Sequence, residues 1–397
     1  GDDHRDQKLK SRIAEQQAII KTLADALAEL KKNAPAPLPQ AIAVVDLPKT
    51  GDSEICVRGE HNNRGPIVPR GFLQVASNSS TAIASQGTSG RLELANWIAD
   101  PDHPLTARVI VNRVWQKLLG EGIVRSVDNF GELGERPTHP QLLDHLASRF
   151  VTPIGERTDF GASGFGWSIK ALIREIVLSD VYRRGSADRD EAWSIDPENR
   201  LLWKAHRRRL PAESLRDAVL SVRGQLDLSP GGSPVEGLGT LVKNNQPDAE
   251  EYQSHESYRR SLYLPIIRNE LPSVLTVFDF ADPDLVVGKR PVTNVPAQAL
   301  FLLNSPFIMN SAGNAAAGLC RDRSMTMEGL IRQTYLLLLA RSPNAVEVRA
   351  AAEFLHIKTT SATIGEIVAA ETDERLRSRL TKFIHVVFAS TEFRMLN

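Results

Sequence analysis

Along residues 5 to 32 the apolar positions recur at alternating steps of four and three: Leu9, Ile13, Ile20, Leu23, Leu27 and Leu30, broken once by Gln16. This is a heptad seam of about three repeats. It predicts a long helix that pairs in a hairpin or coiled coil, or lies on the main body. NAPAPLPQ ends it, because Pro35, Pro37 and Pro39 cannot continue a helix and favour extended chain. AIAVVD and EICVRG are rich in β-branched residues and bounded by turn formers, so both read as short strands. HNNRGPIVPRGF reads as a loop, and the small polar run at 77–90 as a linker.

From Arg91 the period becomes helical. LELANWIAD stops near Pro101. TARVIVNRVWQKLLG runs from a cap at Thr106 to a stop at Gly120. THPQLLDHLASRF starts near Thr138 or His139 with Pro140 in the first turn. WSIKALIREIVLSDVYR places Ile169, Leu172, Ile173, Ile176, Val177 and Val181 at helical spacing, and LPAESLRDAVLSVRGQL closes at Gly224. Residues 228–258 read as a long loop, RRSLYLPII as a strand, and 325–397 as helical again, with Pro343 marking one start. The expected fold is therefore mainly α: a multi-helical domain with minor β-structure and a projecting N-terminal coiled-coil-like helix. Its expected parts are an arm at 1–33, an extended segment and linker at 34–90, a central helical domain at 91–310 with a strand near 260–267, and a C-terminal helical part at 311–397.

Composition narrows the classes. At 397 residues the chain has room for two to three packed units. Lys+Arg and Asp+Glu number 48 each, so no net charge draws the chain to nucleic acid or an anionic membrane. The HRRR run at 206–209 lacks interleaved aromatics, and pairing with Glu213, Asp217 or other carboxylates explains it better. The two cysteines, Cys56 and Cys320, form neither a CxxC zinc pattern nor a CxxCH haem site. They can pair only if the fold brings them together.

VDNFGELGERPTHP resembles the magnesium-binding triplet of kinases, with Asn129 in place of the aspartate. No glycine-rich loop, strand lysine or HRD loop accompanies it. Taken with RLELANWIADPDHPLTARVIVNRVWQKLLGEGIVRS before it, the stretch resembles another pattern. It is similar to domain of unknown function family 1553, the planctomycete cytochrome-associated domain. The resemblance continues through GWSIKALIREIVLSDVYRR and NRLLWKAHRRRLPAESLRDAVL to RRSLYLPIIRNELPSVLTVFDFADPDLVVGKRPVTNVPAQALFLLNSPF. With ICVRGEHNNRGPIVPRGFL in front, it covers most of 55–395. It implies the C-terminal part of a large exported protein, periplasmic or at the cell surface. Haem would belong to an upstream cytochrome c-like domain, not to this chain. The arm is similar to the linker that follows a second, family-specific domain. The family pattern has an aspartate where Asn129 stands, and it supplies no catalytic residue.

The residues offer candidate sites of their own. Asn112 and Trp115 share a helix face with Arg113 nearby, an arrangement that grips a sugar or an anion, or else anchors a core. Asp128, Asn129 and His139 belong either to a turn and helix cap or to a polar rim around a ligand. Arg268, Asn269, Asp279, Asp282, Asn294 and Gln298 crowd a loop where sites are often built. No metal-ligand spacing is present. Three functions compete. The first is an extracytoplasmic module binding a polysaccharide or partner beside a redox domain. The second is a carbohydrate-active hydrolase or lyase using Asp279 or Asp282. The third is a surface assembly protein associating through residues 5–32. A binding module predicts exposed faces at Trp115 or Trp193. An enzyme fails if its carboxylates are scattered or fully ion-paired.

Overall fold

The structure, a computed structural model, describes residues 2–32, 43–77, 87–230, 242–243, 246–247, 257–267, 271–370 and 372–396. The chain divides into two compact units, Gly1–Ala95 and Asn96–Asn397.

In the first unit α1 runs from Asp2 to Lys32 as one uninterrupted helix. Ile20, Leu23, Leu27 and Leu30 of the heptad seam are exposed on it. Strand β1 (Ser53–Cys56) pairs antiparallel with β2 (Arg64–Val68). The expected loop HNNRGPIVPRGF thus contains a strand. Gly65 packs without a side chain against Ile55, and a two-stranded edge tolerates Pro66. AIAVVD goes the other way: Ala43–Asp46 form no strand and are exposed. A β-branched run needs a partner edge, and none pairs with it. Asp46 instead accepts the Ser89 N–H at 3.0 Å and pairs with Arg91 at 2.6 Å, just ahead of α2 (Arg91–Ile98).

The second unit holds two hydrophobic cores. The first packs α3 (Thr106–Leu119), α4 (Pro140–Val151) and α5 (Ile169–Val177) around Val111, Trp115, Leu143, Phe150 and Leu172. Gly120 stops α3 at φ 98°, as its position in the sequence predicts. Thr106 does not cap the helix; His103 does, its Nδ1 accepting the Thr106 N–H at 3.1 Å.

After α6 (Asp190–Ile195) and the two-residue β3 (Arg208–Arg209), the second core forms on α7 (Ala212–Arg223), which ends on left-handed Gly224. Two short strands follow, β4 (Val242–Lys243) and β5 (Gln246–Pro247). The expected strand at 260–267 is instead a 3-10 turn, Ser261–Tyr263. Asp217 takes both the Ser261 N–H and its hydroxyl at 2.7 Å, and Pro265 has no N–H to give a ladder. The core is completed by α8 (Ser273–Val277), α9 (Pro296–Asn304), α10 (Pro306–Leu319), α11 (Met327–Leu339), α12 (Ala345–Phe354), α13 (Ile364–Ala370) and α14 (Asp373–Ala389). Helix α10 runs through residue 310, and its Ala312 and Ala316 share one core with Leu215 and Val219 of α7. Pro343 does not begin α12; Asn344 does, in a reciprocal capping box with Glu347. Finally β6 (Met395–Leu396) pairs antiparallel with β3. Fully buried chains such as Phe278, Leu330 and Phe388 each contribute about 1.5–3 kcal/mol by leaving water.

A polar seam ties the two cores together. Arg208 donates to the Lys117 carbonyl at 2.8 Å, its stem lying so near Gly120 that a Cβ there would come within 2.6 Å. Lys289 pairs with Glu121 at 2.7 Å, and the Gly288 N–H donates to Asp128 at 3.0 Å.

Candidate functional site: a polar cleft beside the first core

Where α3 begins and α4 ends, the second unit opens into a cleft of about 800 Å³. One side is the turn Pro101–His103 with Arg108; the floor is the outer face of α4 with Asp144 and Val151; the far wall is the connector 152–167.

Each wall has a local cause. Proline at 101 and 104 breaks the chain between α2 and α3, and His103 fills the gap as a cap. Its Nδ1 also accepts the Leu105 N–H at 3.3 Å, which leaves the ring proton on Nε2 in the neutral form. The ring stacks edge-on to Trp97 with centroids 4.6 Å apart. One turn on, Arg108 donates through Nε to Asp144 at 2.7 Å and through Nη1 to the Pro104 carbonyl at 2.6 Å. This pair joins α3 to α4 across the cleft floor, though both side chains are well exposed and the pair is worth little alone.

The far wall is stitched to the end of α4 by backbone bonds. Phe165 N–H donates to Arg149 O at 2.6 Å, Trp167 N–H to Phe150 O at 2.7 Å and Gly166 N–H to Thr152 O at 2.8 Å. The approach is so close that a Cβ on Gly164 would sit 2.2 Å from Thr152 O, which restricts that position to glycine. Trp167 itself has φ 61°, a costly value for a bulky residue. Its own N–H bond to Phe150 O and an edge-on contact with the Phe150 ring at 5.3 Å hold it there. Strained residues over-determined in this way concentrate at sites. Thr158 also lines the cleft; it is 8% exposed, and its Oγ1 has no hydrogen-bond partner.

The residues singled out in the sequence lie elsewhere, and the structure gives most of them structural bonds. Asn112 is fully buried, its amide closing two bonds on Val124, from Nδ2 to O at 2.9 Å and from N to Oδ1 at 2.8 Å. Trp115 is buried in the first core and offers no exposed face; Trp193 is 52% exposed, with the Lys204 ammonium 5.0 Å from its ring centre. Arg113 stands 3.7 Å from Asp128, whose other oxygen accepts from Gly288. Asn129 accepts the Gly131 N–H at 3.0 Å and organises a turn, a duty an aspartate performs equally well. His139 occupies the cap position of α4 and bonds Thr138 at 2.9 Å.

Asp279 and Gln298 come together in one hydrogen-bonded network, in which the buried Gln298 Oε1 and Arg209 Nε are left without a partner. Asp279 accepts from Arg209 at 2.7 Å and from the Thr293 N–H at 2.8 Å. Burial alone would raise its carboxyl; the Thr293 N–H and the Arg209 guanidinium hold it below the ordinary range. Gln298 is fully buried and donates to Val277 O and Thr293 Oγ1. Asp282 is exposed and caps its own loop by accepting from Asp284 N–H. Asn294 is exposed next to this network. Arg268 and Asn269 lie outside the described residues. In the HRRR run, Arg209 takes Asp279, Arg208 takes Lys117 O and Arg207 stands 3.9 Å from Asp188.

The cleft residues His103, Arg108, Asp144, Thr158 and Trp167 were missed. The available signal was the proline-bounded PDHP turn and the glycine-rich GASGFGW run, both places where backbone geometry is forced. Among the described residues no group of three or more His, Cys, Asp or Glu is arranged to hold a metal ion, and no helix is long and apolar enough to cross a membrane. Cys56 is exposed and Cys320 buried, both as free thiols.

Comparison with protein-family models gives a match. The family model PSD1, described as a protein of unknown function (DUF1553), matches residues 90–355. No curated protein and no solved structure matches the chain.

Proposed function

The chain belongs to the PSD1 family of proteins of unknown function (DUF1553), and from that premise we propose that it is the binding module of a larger exported protein. In this reading it works outside the cytoplasm, beside a cytochrome c-like redox domain. It holds a polysaccharide, or a partner displaying similar polar groups, without cleaving it. The observation that carries the reading is the cleft: a pre-formed concavity with polar walls and an aromatic side chain, fixed by backbone hydrogen bonds. Asp279 and Asp282, the carboxylates a hydrolase or lyase would use, are bound up in loop-holding bonds, so binding is preferred over catalysis.

A thermal-shift screen against oligosaccharides, followed by analysis of the sugars for new reducing or unsaturated ends, tests this. A ligand at a hundred times its Kd adds about 2.7 kcal/mol of stability. The expected result is a clear shift for at least one glycan class with no cleavage. Cleavage would transfer the assignment to a hydrolase or lyase. Absence of any shift would remove the binding reading.

The exposed seam of α1 favours a second reading, in which this arm associates with another helix at the cell surface. Light scattering compares the chain with a variant lacking residues 1–32. A fall in particle mass well beyond that of the deleted residues supports assembly, and a mass unchanged per chain rejects it.

A further inference from the structure

The lining of the cleft narrows the ligand. This inference rests on the binding reading above and specifies its site and its chemistry. Four carboxylates, Asp102, Asp144, Glu156 and Asp159, face two guanidiniums, Arg108 and Arg157. Both arginines already serve protein acceptors: Arg108 holds Asp144 and the Pro104 carbonyl, and Arg157 donates to the Gly161 carbonyl at 2.9 Å. Among the described residues no cation stands within ion-pair distance of Asp102, Glu156 or Asp159. Four carboxylates against two guanidiniums make the local field negative.

We propose that this cleft is a subsite for sugar residues without anionic groups, uncharged or amine-bearing, and that it excludes sulfated and carboxylated ones. Sugar hydroxyls are donors, and carboxylates accept from them; a sulfate would meet a lining of net negative charge, four carboxylates against two guanidiniums. Trp167 supplies an apolar surface for a ring face. Thr158 supplies the discriminating contact. Its hydroxyl is hidden and unpartnered in a residue that lines the cleft. Threonine wells lie about 120° apart, so this contact requires the hydroxyl to change rotamer when an occupant binds.

The test uses the whole chain and isothermal titration with three hexasaccharides of one backbone: the neutral β-1,4-glucan, its amine-bearing counterpart and a sulfated form. Neutral and amine-bearing sugars bind, and the sulfated form binds at least tenfold more weakly at low salt. Thr158→Val folds with unchanged or higher Tm yet binds the neutral sugar at least tenfold more weakly. The double variant Glu156→Gln, Asp159→Asn narrows the gap between neutral and sulfated forms. Sulfated binding as tight as neutral overturns the charge argument. Neutral binding undiminished in Thr158→Val moves the site out of the cleft while leaving a binding module. No binding by any of the three overturns both this inference and the reading beneath it.

Discussion

Asn112 closes two hydrogen bonds on the backbone of one buried residue, Val124, from the middle of a helix. Its planar amide carries donor and acceptor on separate atoms, so it serves both backbone groups at once. Asn112→Ala leaves a buried N–H and a buried C=O unmatched, so urea unfolding is expected to show a loss of about 2–4 kcal/mol. Thr158→Val runs in the opposite sense, since it removes an unmatched hydroxyl and costs nothing in bonds; the expected change is between zero and about 2 kcal/mol of added stability in the absence of sugar. These two residues also show what a sequence conveys at this scale. Helical spacing correctly places Asn112 and Trp115 on one face. It does not say whether that face looks inward, because a buried amide with a backbone partner and an exposed amide with a ligand have the same spacing. Thr158 gives no signal at all, since its neighbours become neighbours only when the connector folds back on α4.

Several element ends were legible where a local rule forces them. Gly120 and Gly224 stop α3 and α7 as expected, and Pro140 opens α4. Strands were legible only in part: EICVRG was read as one and β1 (Ser53–Cys56) lies there, but a strand also needs its partner, so Ala43–Asp46 has the composition without an edge and Arg64–Val68 has an edge despite Gly65 and Pro66. At the same scale, Gly164→Ala drives a methyl group into Thr152 O and pushes the connector away from α4. A loss of about 1–3 kcal/mol is expected from differential scanning calorimetry, together with weaker sugar binding, as the cleft wall moves.

The start of α12 carries a pH dependence. Arg341 grips Glu392 at 2.5 Å and Glu347 at 2.6 Å, and this grip is the main reason both carboxyls are held below their ordinary value. A carboxyl lowered in the folded state contributes stability above its unfolded value, about 4.3, and loses that contribution as pH falls through its lower folded value. Tm is therefore expected to drop below about pH 4.3, and Arg341→Met to flatten that drop. An equally steep fall in the variant would show that other carboxylates govern the acid limb.

For the whole molecule, the helical class follows from the period of the sequence, but the arrangement of two cores does not. Their joint is polar and made of single contacts between residues far apart in the chain, such as Asp128 with Gly288 and Glu121 with Lys289. Such contacts have no periodic signature. A Cβ on Gly288 would lie 1.7 Å from the Asp128 carboxylate, so Gly288→Ala breaks this joint. Hydrogen exchange is expected to rise on both sides of the seam, around 127–131 and 286–290, while the interiors of α3 and α11 stay protected.

The short pairing of β3 with β6 bears on how the chain is made. Arg208 and Arg209 meet Leu396 and Met395, and the Leu210 N–H donates to Arg394 O at 2.8 Å. A chain emerging from the ribosome can complete the first core early, from α3 through α5, using neighbours in sequence. The second core must wait: β3 and Leu210, at the head of α7, stay without their partners until residues 394–396 have been synthesised. Translation stalled anywhere between these points leaves a half-folded product with a finished first core, which proteases and chaperones would recognise by the uncovered half.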